Sequence, residues 1–369
     1  MGYEIEHNIF HLADELGPEL IVYISDIKTG LKAILVVDNT AAGPAMGGIR
    51  MSPEVTTVEV ARLARAMTMK NAMARLPHGG GKSGIIADPA LPDKEALIRA
   101  FARKIRHIIE YIPGPDMGIS ETEMAYIRDE IGRAVGLPRV LGGIPLDEIG
   151  STGFGVAISA EVAAEFADID LKGARLTVEG FGAVGKHAAR FLEGKGMILI
   201  AASDSKGTIY NPDGLDVKEL ISVKEATGSL LNYKDGEKLL TTDLFNISTD
   251  ILVPAARPDV ITESNADVLD TKLIIEGANI PTTLEAENQL YERGVLCVPD
   301  FVANAGGVIT AFVEYHNGTE KQAFKQIEAT IRSNTREMLE LSRKEGITPR
   351  KAAESIARHR IYEAMTYRK

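Results

Sequence analysis

Between residues 175 and 204 the chain reads "RLTVEGFGAVGKHAARFLEGKGMILIAASD": a short β-rich run, a glycine cluster, an amphipathic stretch and a second apolar run. Gly180, Gly182 and Gly185 stand at G-x-G-x-x-G spacing, with Phe181, Ala183 and Val184 among them. In such a setting the first glycine permits a tight turn and the second lets the backbone approach a pyrophosphate. The third allows the helix to pack closely on the strand, and the helix N-terminus faces the negative charge. An acidic residue is then expected about 20 residues on, to hold the adenosine ribose hydroxyl. Asp204 stands 19 residues after Gly185, at the end of the next apolar run. This predicts a Rossmann-type strand, turn, helix and strand with an NAD cofactor. A carboxylate repels a 2′-phosphate, yet Ser203, Ser205 and Lys206 surround Asp204 and leave NADP open.

Further short apolar runs follow, among them "DILVPAA", "KLIIEGAN" and "VLCVPDFVAN". Strands alternating with helices predict a mainly parallel, doubly wound sheet. The first 150 residues have a different grammar. "LIVYISD" and "LKAILVVDN" flank Lys28-Thr29-Gly30 and read as an antiparallel hairpin. "TVEVARLARAMTMKNAMARL" and "KEALIRAFARKIRHII" have apolar residues at helical spacing. "SGIIADP" reads as a short buried strand following a glycine run, and Ser120 or Thr122 as the cap of a helix that follows. The expected architecture is therefore α/β with two domains. Residues 1–150 form a substrate-binding and catalytic domain, and residues 151–342 a Rossmann-type NAD(P)-binding domain. A helical tail from about 343 to 369 returns to the first. A chain of 369 residues suits two such domains.

Composition excludes several classes. A net charge of −11 argues against a nucleic-acid partner, whose phosphates demand a basic face. No apolar run is long enough to cross a membrane, and the first residues, "MGYEIEHNIFHLADELG", lack the basic start and apolar middle of a signal peptide. The lone Cys297 fits a reducing cytoplasm. No cysteine cluster or close histidine pair suggests a metal site.

"LPHGGGKSGIIADP" resembles a phosphate-binding loop, but G-x-x-x-x-G-K-[ST] needs glycine at position 76, which is Leu76. Lys82 therefore needs another role. Lys70, Lys82 and Asp116 each lie beside a turn or a glycine cluster. Singly, each lysine reads as a surface charge. As a set they suit an anionic substrate whose reacting carbon passes through charged, tetrahedral forms. One lysine would pair with a carboxylate. The other, its pKa lowered by burial and a cationic neighbour, would polarise a carbonyl or activate water, and the carboxylate would relay a proton.

From about Gly43 to about Asn317 the chain carries, in order, "GPAMGGIRM", "MTMKNAMARLPHGGGKSGIIADP", "GPDMG", "STGFGV", "GFGAVGKHAARFL", "SDSKGTIYNPDG", "EGANIPTT" and "ANAGGVI". In this series it resembles the glutamate/leucine/phenylalanine/valine dehydrogenase family of oxidative deaminases. The resemblance implies that Lys82 activates water, that Lys70 pairs with the substrate α-carboxylate, and that Asp116 shuttles a proton. It puts Asn279 and Asn304 near substrate and nicotinamide, Gly47 beside the substrate, and Thr152, Ala255 and Ala256 on the cofactor. The implied reaction takes an L-amino acid, NAD⁺ and water to a 2-oxo acid, ammonium and NADH. The family also implies a large homo-oligomer, a hexamer or octamer.

The family's glutamate enzymes hold the distal carboxylate with a lysine and a serine; here Met46 and Ala311 stand at those places. A buried carboxylate without partners costs several kcal/mol. Met46, Val308 and Ala311 thus suggest an apolar pocket for a branched-chain or aromatic side chain, with Gly114 leaving added room. Glutamate is the alternative, since "SDSKGTIYNPDGLD" and "EGANIPTT" resemble that branch. A non-catalytic NAD-binding paralogue is the reading from another class.

Overall fold

The computed structural model describes residues 9–368. Met1 to Asn8, the start of the stretch read for a signal peptide, lie outside the described residues. The chain forms two compact units. One comprises residues up to 145 with 311–319 and 357 onward, and the other 146–310 with 320–356.

In the first unit the elements are β1 (Leu20–Asp26), β2 (Leu31–Asn39), β3 (Ala45–Met51), α1 (Thr57–Met73), β4 (Gly80–Ile85), α2 (Lys94–Lys104), β5 (Tyr111–Pro115) and α3 (Glu121–Ile131). The sheet order is β1-β2-β4-β3-β5. β1 and β2 form the expected antiparallel hairpin, its turn fixed by Asp26, whose carboxylate accepts the Thr29 N–H at 3.1 Å and hydroxyl at 3.0 Å. Alternation along β2 separates the two faces. Leu35 and Val37 join Ile98 and Phe101 of α2 and Ile127 of α3, whereas Ile34 and Val36 join Val60 and Ala64 of α1.

The glycine run is itself part of a strand, where a strand was expected only from Ser83. β4 begins at Gly80 and lies between β2 and β3. Its glycines are required by close approach. A Cβ on Gly80 would fall 2.0 Å from the Thr68 nitrogen of α1, so helix and strand meet backbone to backbone. α2 stops at Lys104, short of "RHII". The Arg133 guanidinium donates to the carbonyls of Ile105, Ile108 and Tyr111 at 2.8–2.9 Å, and so holds a turn where a helix was expected. Ser120, not Thr122, caps α3 through a capping box with Glu123.

The second unit holds α4 (Leu146–Ile149), α5 (Ser151–Phe166), β6 (Arg175–Glu179), α6 (Ala183–Glu193), β7 (Ile198–Asp204), β8 (Gly207–Tyr210), α7 (Val217–Thr227), β9 (Glu237–Leu239), β10 (Ile251–Pro254), β11 (Leu273–Ile275), α8 (Leu284–Glu292), β12 (Leu296–Val298), α9 (Asp300–Ala303), α10 (Gly306–Tyr315), α11 (Glu320–Glu345) and α12 (Pro349–Thr366). The strand order is β12-β11-β10-β6-β7-β8-β9. The strands from β12 to β7 pair in parallel, and β8 and β9 are antiparallel at one edge. This is the expected doubly wound sheet, and β6, flanked by β10 and β7, is where the strand order reverses.

Two helices change unit along their length, so the bounds differ from 150, 342 and 343. α10 passes to the first unit at Ala311, where the Glu314 carboxylate accepts the N–H groups of Leu137 (3.0 Å) and Ile144 (2.8 Å). α12 passes at Ala357, after which Arg360 donates to the Ala72 and Met73 carbonyls at the end of α1.

Candidate active site

β4 pairs with β2 through Val36 opposite Lys82. Residues directly opposite share a face, so Lys82 points to the side covered by α1, the helix that carries Lys70. β3 lies against β4 because Gly47 has no side chain; a Cβ there would fall 1.7 Å from the Gly81 carbonyl oxygen. β3 also pairs in parallel with β5, which ends just before Asp116.

These elements bring Lys82 and Asp116 together: Nζ lies 2.9 Å from Oδ2. The same oxygen accepts from Arg50 Nε at 2.9 Å, and Arg50 Nη1 reaches Glu59 at 2.7 Å. The Lys82 side chain is 7% exposed and that of Asp116 24%. Burial drives the Lys82 pKa below its ordinary value, Asp116 opposing and Arg50 adding to the shift. Burial alone would raise Asp116, but Lys82 and Arg50 outweigh it and hold the carboxyl low. Two cations thus share one carboxylate oxygen, and in Lys82, the more deeply buried of the two, burial weakens the charged form. Lys70 is half-buried in the last turn of α1.

Arg50 does not stand out in the sequence. An arginine on a strand reads as a surface charge, and its only signal is its place in "GPAMGGIRM".

Of the expected side-chain pocket, Met46 packs with Ile112 and Val135, and Ala311 and Tyr315 of α10 lie against this cluster. Gly114 borders it, since a Cβ there would stand 3.1 Å from Val135 Cγ2. Val308 belongs instead to the second unit, where it is half-buried. His78 is an addition that the sequence does not suggest. Its ring lies 5.7 Å from that of Phe312 and 6.0 Å from that of Tyr315.

The second unit provides a dinucleotide cradle. Gly180 has φ +87°, and a Cβ there would meet Ala256 at 2.6 Å. A Cβ on Gly185 would fall 2.0 Å from the Gly180 carbonyl, whereas one on Gly182 would meet nothing within 4 Å. The space at the second glycine and the crowding at the third are what a pyrophosphate at a helix start needs. Ala183 and Val184 open α6 beside it. Ala255 and Ala256 donate to the Glu179 backbone carbonyl and carboxylate respectively, at 2.7 and 3.2 Å. A cleft of about 420 Å³ opens here, lined by Phe181, Gly182, Ala183, Lys186 and Lys224 among others.

Asp204 differs from a carboxylate kept free for ribose. Oδ1 accepts the Lys206 N–H at 2.8 Å; Oδ2 accepts the Leu230 N–H at 2.9 Å and faces Lys224 Nζ at 3.4 Å. Ser205 and Lys206 are exposed in the turn that follows. Lys224, on α7, is a further residue that the motif does not reveal; it shares the cleft with Gly182.

Asn304 Nδ2 donates to the carbonyls of Gly277 and Ala278 (3.2 Å each) and to Asn279 Oδ1 (3.0 Å), while its own Oδ1 is buried without a partner. A buried acceptor lacking a donor fits a carboxamide N–H of a nicotinamide. Thr152, the second residue of α5, is half-buried, with its hydroxyl 3.2 Å from where a Cβ on Gly307 would lie. The loop bearing Asn279 is braced from below. Asp300 Oδ2 accepts the Ile280 N–H at 3.0 Å, and Arg350 binds Asp300, Glu276 and Glu287 at 2.7–3.3 Å. Burial pushes the Glu276 carboxyl well above its ordinary value, against Arg350.

The sequence pattern described as "Glutamate/Leucine/Phenylalanine/Valine dehydrogenase" matches residues 142–369, and that of the "Glu/Leu/Phe/Val dehydrogenase, dimerisation domain" matches residues 19–133. The glutamate dehydrogenase of Aeropyrum pernix is 41% identical over 89% of this chain and 85% of its own. Other relatives are named as NADP-specific and NAD-specific glutamate dehydrogenases. The hetero-hexameric glutamate dehydrogenase of Thermus thermophilus, in its Leu bound form, superposes with a TM-score of 0.85 at 31% identity, covering 95% of this chain and 90% of that one. The L-tryptophan dehydrogenase of Nostoc punctiforme superposes with a TM-score of 0.78 at 27% identity, covering 97% and 100%. Fold, motifs and relatives agree, and the chain belongs to the glutamate/leucine/phenylalanine/valine dehydrogenase family of NAD(P)-dependent amino acid oxidoreductases.

Proposed function

We propose that the protein catalyses the reversible oxidative deamination of an L-amino acid, with water and NAD or NADP, to a 2-oxo acid and ammonium. The observation that carries this is the buried Lys82 amine on Asp116, with Arg50 on the same oxygen. Lys70 pairs with the substrate α-carboxylate and fixes the α-carbon near Lys82. A nicotinamide held beside the Gly180–Gly185 turn and Asn304 would supply the hydride acceptor for that carbon, and loss of hydride from the neutral amine form of the substrate gives an iminium. Lys82, in its neutral form, takes a proton from water, and the resulting hydroxide adds to the iminium carbon. Asp116 carries a proton to the departing amine. Once the proton that Lys82 took from water has passed through Asp116 to the amine, Lys82 accepts the carbinol O–H proton as the carbonyl forms and the C–N bond breaks, releasing ammonia. A general base is most effective when its pKa lies near the working pH, which is what burial and Arg50 do to Lys82.

For the side chain, the names of the relatives support glutamate, the alternative set out from the sequence, better than the apolar reading. A second, apolar reading rests on one observation: the Met46, Val135 and Ala311 side chains offer a distal carboxylate no cation, and the hydroxyl at this cluster is that of Tyr315. kcat/KM for glutamate, leucine, phenylalanine, tyrosine and tryptophan with each cofactor separates the two. Glutamate as the best substrate by tenfold or more would remove the apolar reading.

The dimerisation-domain match over residues 19–133 and the hetero-hexameric relative support an oligomer, and a homo-oligomer is the assembly we propose. No helix among the described residues is long and apolar enough to cross a membrane, and a cytoplasmic location is the setting we propose.

A further inference from the structure

His78, four residues before Lys82, is 4% exposed, and the mechanism does not use its ring. Nδ1 lies 2.9 Å from the Pro44 carbonyl oxygen. A carbonyl only accepts, so Nδ1 carries the proton and neutral Nε2 is an acceptor. That Nε2 is buried with no protein partner. Around the imidazole stand the rings of Phe312, Tyr315 and His316, at 5.7–6.0 Å between ring centroids. Tyr315 in turn packs against Met46 and Val135. The His78 ring therefore lies one ring away from the pocket that Met46 and Ala311 define.

We propose that His78 Nε2 is the specificity-determining acceptor at the far end of the substrate side-chain pocket, and that the preferred substrate is an aromatic L-amino acid ending in a hydrogen-bond donor, a phenol O–H or an indole N–H. This deepens the second, apolar reading of the deaminase and rests on it. An unpaired buried acceptor is costly, and a donor on the substrate relieves that cost only when it is bound. Leucine and phenylalanine fill the apolar cluster but leave Nε2 unpaired. Glutamate brings a carboxylate against the lone pair of a neutral imidazole. Burial, reinforced by His316 and opposed by the Pro44 carbonyl, holds His78 below its ordinary pKa and so keeps it neutral.

The test is kcat/KM for tyrosine, tryptophan, phenylalanine, leucine and glutamate in the full-length wild type, His78→Asn and His78→Gln. Tyrosine and phenylalanine differ only by the hydroxyl. The wild type is expected to favour tyrosine or tryptophan over phenylalanine by about tenfold or more, because sites built around a hydrogen bond reject analogues that lack it. His78→Asn keeps a donor for the Pro44 carbonyl and removes Nε2; the preference should fall to within about twofold. His78→Gln, whose amide oxygen reaches further, should restore part of it. The proposal is overturned if the wild type deaminates amino acids with no preference for the donor-bearing pair, if glutamate is its best substrate, or if His78→Asn leaves the preference intact. Absence of turnover on all five would sink the deaminase reading itself, a distinct result.

Discussion

Arg50 and Lys82 converge on a single atom, Asp116 Oδ2, each at 2.9 Å. Two cations on one oxygen repel each other, and the less stabilised of them surrenders its proton more readily. Arg50 remains charged under all working conditions. The arrangement thus favours ionised Asp116 while biasing Lys82 towards the neutral amine that the proposed deamination requires.

Replacing Arg50 by methionine should therefore move the pH profile. The neutral form of Lys82 is the active one, so kcat/KM is lost as pH falls through the Lys82 pKa. Arg50 lowers that pKa, and its removal raises it, shifting the acid limb to higher pH. Activity near pH 7 should drop roughly tenfold or more. An acid limb that stays in place or moves to lower pH would show that Arg50 has no electrostatic hold on Lys82.

Lys224 stands in the Gly182 cleft, 3.4 Å from Asp204. Asp204 accepts from the Lys206 and Leu230 N–H groups, and Lys224 beside it is the cation we propose for a ribose phosphate. Lys224→Ala should raise the KM for NADP by about tenfold or more, the weight of one charge-assisted hydrogen bond, and that for NAD by less than about threefold. Steady-state kinetics with both cofactors decide it; equal effects on the two would remove Lys224 from phosphate recognition.

Much of this architecture is legible in the order of the residues. The glycine spacing at 180, 182 and 185 falls where a turn, an open space and a tight contact are found. Lys82 and Asp116 meet as their motifs imply. What the residue order hides depends on pairing in space. β4 starts at Gly80 because α1 presses Thr68 against it, a contact that composition does not record. Arg50, His78 and Lys224 look like ordinary polar residues until the strand or helix beneath them is placed. α10 changes unit at Ala311, so Val308 and Ala311, three residues apart, fall in different units.

Arg350 holds three buried carboxylates. Arg350→Met removes the cation that Glu287 and Asp300 share and the donor to Glu276, and should cost about 3–5 kcal/mol, with a lower denaturant midpoint. Glu276→Gln should cost much less than Arg350→Met, because burial pushes its carboxyl well up and so favours the neutral form that glutamine mimics. The sign of the linkage follows. A raised carboxyl binds more protons folded than unfolded, so wild-type stability falls as pH rises above the ordinary glutamate range. Glu276→Gln should flatten that fall. Denaturation across pH at fixed protein concentration checks both, and a Glu276→Gln variant destabilised as much as Arg350→Met would contradict the assignment.

The central claim is that the Lys82 amine performs the deamination chemistry. The most direct measurement is ammonium and NAD(P)H formation by wild type and Lys82→Ala on the five-amino-acid panel, with NADH binding followed by fluorescence. The account predicts equal amounts of ammonium and reduced cofactor from the wild type. For Lys82→Ala it predicts a loss of about 10³-fold or more in kcat with NADH binding retained. Turnover by Lys82→Ala within a few fold of wild type would contradict it.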